Sequence, residues 1–274
     1  MSLPPAAQAP LGRRLGAITA VRELGVYRVI TVADPGGPAP APGQFAMLAA
    51  AERWGGGEDE RPFLARAFSV ARHGDGHAQF LLEDVGPGTR RLCELGVGEQ
   101  LWLAGPFGRP FTAPAAGQRA ILVGGGVGIA PLAILQDALE AAGIETVVLL
   151  GFRDAGRVAG AELLRGARIA SDDGSAGHHG LVTELLEREL AAGAEASAYA
   201  CGPAGMLEGV RSLCERGGVP AQLALESGMA CGYGACYGCV VPTRDGRYLR
   251  VCVEGPVIDA ALLGSVESHA GAPE

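Results

Sequence analysis

Three thiols crowd into nine residues of this chain, "CGYGACYGC" from Cys231 to Cys239. Thiols this close can form disulfides, hold a zinc ion, act as a redox pair or cradle an iron–sulfur cluster. The spacing is Cys231-x4-Cys236-x2-Cys239, with Cys252 further on, and this matches a [2Fe–2S] ligand pattern. Four thiolates must then converge, and Gly232, Gly234 and Gly238 are expected to supply the sharp reversals. Backbone amides freed by such a loop can donate to the sulfurs. A hairpin at Asp245-Gly246 would return Cys252 to the same place. Zinc is the structural alternative, although zinc sites more often use two C-x2-C pairs and only Cys236/Cys239 makes one. Disulfides are less favoured, because a chain of 274 residues can bury a core without staples and nothing in it directs export. Cys93 and Cys214 are expected as small buried hydrophobes.

A second chemistry is written in glycine. "LVGGGVGIAPL", residues 122–132, follows an apolar run and precedes a helical pattern. Glycines there let an anion approach backbone amides at a helix start, as a dinucleotide pyrophosphate requires. No Lys-Ser/Thr follows, so it is not a triphosphate loop, and it is not a strict G-x-G-x-x-G. Gly124, Gly125, Gly126, Gly128 and Pro131 are the candidates. "CGPAGML" puts Cys201, Gly202 and Pro203 at the end of a later strand, facing the same crevice. Cys201 has two open readings, a neighbour of the nicotinamide or a packed strand-end thiol. Asp172 and Asp173, in "IASDDGS", would repel a 2′-phosphate, which favours NAD over NADP. Upstream, "RAFS" (66–69) and "VGPGT" (85–89) offer an arginine, an aromatic and hydroxyls. Taken singly, Arg66 reads as a solvated arginine and Phe68 as a core residue.

Three segments must position these groups. Residues 11–115 hold short β-like runs, such as Tyr27–Val32 and Phe45–Leu48, divided by Pro/Gly clusters, and suggest a small antiparallel barrel. Residues 116–222 alternate strand and helix patterns, the signature of a doubly wound parallel α/β sheet. Residues 223–274 form a small cysteine-anchored β-type module. Met1–Pro10 reads as a Pro/Ala tail and "ERWGGGEDER", residues 52–61, as a polar loop. Net charge is −8, with no long basic run, which argues against nucleic acid or an anionic membrane as partner. Ala120–Gln136 is uncharged but broken by glycines and a proline, so no lipid-spanning helix is expected. The default is a cytoplasmic protein.

Barrel with R-x-F-S, then G-x-G-T, then a glycine loop in a βαβ segment: that order resembles the ferredoxin–NADP reductase superfamily. The resemblance implies FAD on the barrel and a nicotinamide dinucleotide on the α/β domain. Carried over, Arg66, Phe68, Ser69, Gly88 and Thr89 would contact FAD, with Leu82, Glu83 and Asp84 lining the flavin. Phe68 stands where the superfamily usually has tyrosine, so stacking survives and a phenolic hydrogen bond does not. Only about fifty residues follow the α/β domain, too few for a complete ferredoxin domain. "ESGMACGYGACYGCVV" with "RVCVEGPVID" resembles the electron-transfer subunits of class 1B dihydroorotate dehydrogenases. This implies an FMN-containing dehydrogenase partner, two copies of each subunit, and electrons passing through [2Fe–2S] and FAD to NAD⁺ in pyrimidine biosynthesis. An NADH-dependent flavin/iron–sulfur reductase serving a ferredoxin is the alternative, and a non-enzymatic zinc-stabilised binding module is a further rival.

Overall fold

The computed structural model describes residues 12–55, 62–193 and 195–264. The expected N-terminal tail and most of the 52–61 loop lie outside these residues. Strands β1 (Arg14–Leu24), β2 (Tyr27–Ala33), β3 (Phe45–Ala50), β4 (Arg66–Gly74), β5 (His77–Glu83) and β6 (Gln100–Phe107) close an antiparallel barrel in the order β1-β2-β5-β4-β3-β6. Its interior is apolar: Ile18, Ile30, Leu48, Val70, Phe80, Leu82 and Leu103 meet there. The apolar runs of β2, β3 and β5 announce themselves in the sequence. β1 does not, because only Gly16, Ile18 and Leu24 of its eleven residues are buried, too few to print an apolar run. Helix α1 (Pro87–Cys93) begins within "VGPGT", with Pro87 in its first turn.

The α/β unit follows as β7 (Arg119–Gly125), α2 (Ala130–Ala141), β8 (Thr146–Phe152), α3 (Ala155–Val158), β9 (Arg168–Ser171), β10 (His178–His179), α4 (Val182–Ala191), β11 (Ala196–Cys201), α5 (Ala204–Gly217) and β12 (Ala221–Ala224). These strands form a parallel sheet in the order β10-β9-β8-β7-β11-β12. The order reverses beside β7, so the carboxyl ends of β7 and β11 flank the switch point.

The cysteine segment contains the short hairpin β13 (Val240–Pro242) and β14 (Tyr248–Arg250), turning at Asp245-Gly246 as expected. It then returns as β15 (Val257–Asp259), which pairs antiparallel with β12 and completes a seven-stranded sheet. The expected boundary at residue 222 therefore falls inside β12. Nor does the module have a core of its own. Cys239, Val241, Val251 and Cys252 belong to one buried cluster with Ile121, Val123 and Leu223 of the sheet and Phe45, Met47 and Phe107 of the barrel. This is why β3 is buried along its whole length.

Barrel and sheet are also tied directly. Arg72 of β4 pairs with Asp137 of α2 at 2.9 Å and donates to the Leu163 carbonyl at 2.7 Å. In the β1–β2 hairpin, the Val26 amide donates to the Gly156 carbonyl at 3.1 Å. Among the described residues no helix is long and apolar enough to cross a membrane.

Candidate functional site

A cavity of about 230 Å³ opens where barrel, sheet and cysteine segment meet. Phe68 and Ser69 of β4, Glu83 of β5 and Thr89 of α1 line one side. Val127 and Ala130, between β7 and α2, line the other. Met229 and Pro256 close the floor from the two ends of the cysteine segment. Arg66 lies against Gly88, where a Cβ would come within 2.5 Å of its Nε. Only glycine lets the guanidinium settle there. The Thr89 hydroxyl accepts from the amides of Val85 at 2.9 Å and Gly86 at 3.0 Å, and so shapes the turn before α1.

Two expected flavin-lining residues lie elsewhere. Leu82 points into the barrel core, fully buried. Asp84 is exposed and pairs with Arg90 at 3.3 Å. Strand periodicity is the reason: Leu81 and Glu83 share the face that meets the cavity, and Leu82 must face the other way. Val85 and Met229, also in the wall, were not expected there.

Glu226 is the missed residue with most chemistry. It stands two residues after β12, in the cavity wall, with its side chain exposed there. Among the described residues it has no hydrogen-bond or ion-pair partner. Burial pushes its carboxyl pKa up. The folded chain therefore holds a proton that the unfolded chain releases, and stability is lost as pH rises through the folded value. Glu226→Gln is expected to raise the melting temperature of the cofactor-stripped chain by a few degrees at pH 8. The gain should vanish towards pH 4, and a pH-independent difference would rule out the burial effect.

The two glycine-bearing loops touch. Cys201 lies opposite Gly124 in the sheet register. A Cβ on Gly128 would stand 2.5 Å from the Cys201 carbonyl oxygen and 2.6 Å from the Gly202 amide. One on Gly125 would stand 2.7 Å from Met206 Sδ and 3.0 Å from Pro203. Gly126 and Gly202 take positive φ, 55° and 158°. Gly124 is close-packed by Ile129, Leu132 and Leu150, and Pro131 is buried in the first turn of α2. The loops thus form one rim at the carboxyl ends of β7 and β11. Cys201 is buried, and burial followed by the Glu226 carboxylate pushes its thiol pKa well up, so it is no thiolate nucleophile. Burial likewise pushes the Cys93 thiol to about 11 and Cys214 to about 12, as inert packed sulfurs should be.

The four remaining cysteines converge on the loop. Cys239 and Cys252 Sγ atoms are 3.2 Å apart, beyond the ~2.05 Å of a disulfide. Cys231 lies within hydrogen-bond reach of the Cys236 side chain. Among the described residues no three His, Cys, Asp or Glu side chains form a group able to hold one metal ion; the sulfurs fall into two neighbouring pairs. Backbone amides aim at them. Burial pushes the Cys231 thiol up, but the amides of Cys236, Tyr233 and Ala235 outweigh it and bring it down to about 6. The Gly238 amide donates to Cys236 Sγ at 3.4 Å, and the Gly234 amide faces Cys252. Two reversals come from Gly232 and Gly234, with φ of 79° and 89°. The third is made by Tyr237, φ 56°, and not by Gly238. Gly238 instead leaves open ground beside Cys236 Sγ, 3.6 Å from where its Cβ would be. Two thiol pairs, sulfur-directed amides and that open ground fit a binuclear cluster.

Comparison with known proteins agrees with this geometry. Residues 226–264 match the iron-sulfur cluster binding domain of dihydroorotate dehydrogenase B. The chain is 36% identical over 225 residues to a dihydroorotate dehydrogenase B (NAD(+)) electron transfer subunit from Caldanaerobacter subterraneus subsp. tengcongensis, spanning 81% of this chain and 86% of the relative. It is 38% identical over 230 residues to that from Geobacillus thermodenitrificans, spanning 80% and 85%. In fold it is similar to a chain from the structure of NADH-dependent reduced ferredoxin-NADP oxidoreductase, with TM-score 0.80, 24% identity, and 93% and 92% of the two chains covered.

Proposed function

Because the chain belongs to the family of dihydroorotate dehydrogenase B electron-transfer subunits, we propose that it carries electrons from a dihydroorotate-oxidising FMN subunit to NAD⁺. One observation carries this reading. The cysteine segment enters and leaves through the cavity wall, at Met229 and Pro256. Met229 is two residues from Cys231, so the thiols begin within about 7 Å of chain from the cavity. β3 bridges the same gap: Phe45 lines the cavity, and Met47, on the same face, packs under Gly232. When bound, [2Fe–2S] supplies single electrons, FAD converts between one- and two-electron chemistry, and NAD⁺ accepts a hydride.

The residues divide the work. Cys231 and Cys236 would hold one side of the cluster, Cys239 and Cys252 the other. Arg66 over Gly88, with the amides shaped by Thr89, would hold the FAD pyrophosphate, and Phe68 and Ser69 would meet the ring system. Gly124–Gly128 and Cys201–Pro203 form the rim for the nicotinamide dinucleotide. Glu226 places a carboxyl with a raised pKa in the cavity wall. The FAD unit keeps its expected bounds of 11–115, the NAD unit runs from 116 to the end of β12 at Ala224 and takes β15 as its last strand, and the cluster segment lies between those two strands. Two copies of each subunit complete the reading.

Dinucleotide choice follows from the turn after β9. The Ser175 hydroxyl and amide hold the Asp173 carboxyl below the usual carboxylate range, so it stays charged at working pH. Asp172→Ser/Asp173→Ser is expected to raise kcat/KM for NADPH roughly tenfold, the order for removing a close like-charge contact. An unchanged NADPH/NADH ratio in steady-state kinetics would place the discrimination elsewhere.

The reading as a whole is tested by co-purification with the FMN subunit and by NAD⁺-linked dihydroorotate oxidation by the pair. Purified chain lacking flavin and iron–sulfur absorption would end it.

A further inference from the structure

Arg250 holds the cysteine loop from outside by polar contacts. Arg250, the last residue of β14, is fixed by Glu254 four residues on. Its Nη2 and Nε donate to that carboxylate at 2.6 and 3.1 Å, and its backbone amide donates to it at 2.8 Å. The side chains are 28% and 24% exposed, so this pair is partly shielded from water. The free arm of the guanidinium, Nη1, donates to the Gly234 carbonyl at 3.2 Å. Its carbon centre lies 5.1 Å from the middle of the Tyr237 ring, and Nη1 is 3.5 Å from Tyr237 Oη. One cation thus grips the loop on both sides of Cys236. Both gripped residues are left-handed, and Tyr237 is a residue type that keeps such a conformation only when its surroundings hold it.

The grip on Gly234 reaches the sulfurs. In a trans peptide the carbonyl and the following amide point opposite ways across one plane. With the Gly234 carbonyl drawn outward to Arg250, the Ala235 amide is turned inward, and it is one of the amides facing Cys231. A hydrogen bond accepted at the carbonyl also polarises the amide and strengthens it as a donor. Donors to the sulfurs favour the more negative, reduced state of an iron–sulfur cluster.

We propose that Arg250 is a positioning residue of the cluster site: by fixing the 234–235 peptide and Tyr237 it aims the loop amides at the sulfurs and raises the cluster's reduction potential. This rests on reading Cys231, Cys236, Cys239 and Cys252 as the ligands of a [2Fe–2S] cluster. A bare charge would not do the same. Lysine carries the charge but lacks the fork that spans Glu254 and Gly234 together.

The test is an EPR-monitored redox titration of the full chain, as wild type, Arg250→Met and Arg250→Lys, with iron and FAD content measured alongside. Both variants are expected to shift the reduced/oxidised equilibrium about tenfold towards oxidised, a fall of about 59 mV for one electron. Wild-type potential in both overturns the proposal. Wild-type potential in Arg250→Lys with a fall in Arg250→Met also overturns it, since charge alone would then suffice. An Arg250→Met chain that keeps FAD but loses iron supports the positioning role. One that loses FAD as well has unfolded, and Arg250→Lys then decides. Wild-type chain that binds FAD but shows no iron and no EPR signal refutes the cluster reading itself.

Discussion

Cys236→Ser is expected to abolish NAD⁺-linked dihydroorotate oxidation by the two-subunit enzyme while leaving FAD-dependent NADH oxidation by an artificial dye little changed. Cys236 is the ligand of choice for this experiment. Its side chain is exposed, whereas Cys239 and Cys252 sit in the shared apolar cluster, where polar replacements would also disturb packing. Serine at 236 leaves the loop amides and the Arg250 clamp in place and removes one thiolate of four. Iron content and visible absorption should fall together, with flavin content at one per chain. Loss of the dye reaction with FAD still bound would contradict a layout in which the cluster stands at the exit from the flavin.

Gly128→Ala is the second large effect, and its site of action is the other half of the chain. The added methyl meets backbone, the Cys201 carbonyl and the Gly202 amide, which cannot swing aside as a side-chain tip can. Gly128 is absent from the positive-φ residues, so the cost is steric alone. Overpacking of this kind costs about 1–3 kcal/mol. If the two loops part to relieve it, the nicotinamide rim opens, and that energy appears as a rise of about 5- to 150-fold in KM for NADH. Cluster and FAD content should be unchanged. A normal KM with a lowered melting temperature would make Gly128 a packing glycine only. Gly126→Ala is the useful contrast, since nothing lies within 4 Å of its Cβ and only its φ of 55° resists the change.

Periodic and spacing signals survived folding well. The apolar runs became strands, the helical pattern after the glycine loop became α2, and Asp245-Gly246 turned the hairpin. The cysteine spacing produced two thiol pairs because the hairpin brings Cys252 beside Cys239, the Val251 amide bonding to the Cys239 carbonyl at 3.0 Å. What escaped has a common cause: it depends on which face meets another part of the chain. Leu82 and Leu81 look alike until the barrel closes and assigns them opposite sides. Glu226 is one of many acids until the closed fold sets it in the cavity wall. Tyr237, in place of a nearby glycine, takes the left-handed turn because a residue thirteen positions away holds its ring. β15 carries no local mark of belonging to a sheet that the chain had left some thirty residues earlier.

That last strand makes the cysteine module an insertion and not an appendage. Ala224 and Val257 are register partners on adjacent strands, about 4.8 Å apart. Everything between them, including Cys231, Cys236, Cys239 and Cys252, is an excursion whose two ends lie side by side. A tight turn could join β12 to β15 and leave the sheet's hydrogen bonding complete. The fold can therefore gain or lose an electron port at this point while its sheet order is kept, though the cavity wall that Met229 and Pro256 supply goes with it. A transplant of the excursion into another sheet of this kind needs two neighbouring antiparallel strand ends, an apolar barrel face for Gly232 to rest on, and a sheet face to complete the core around Cys239 and Cys252.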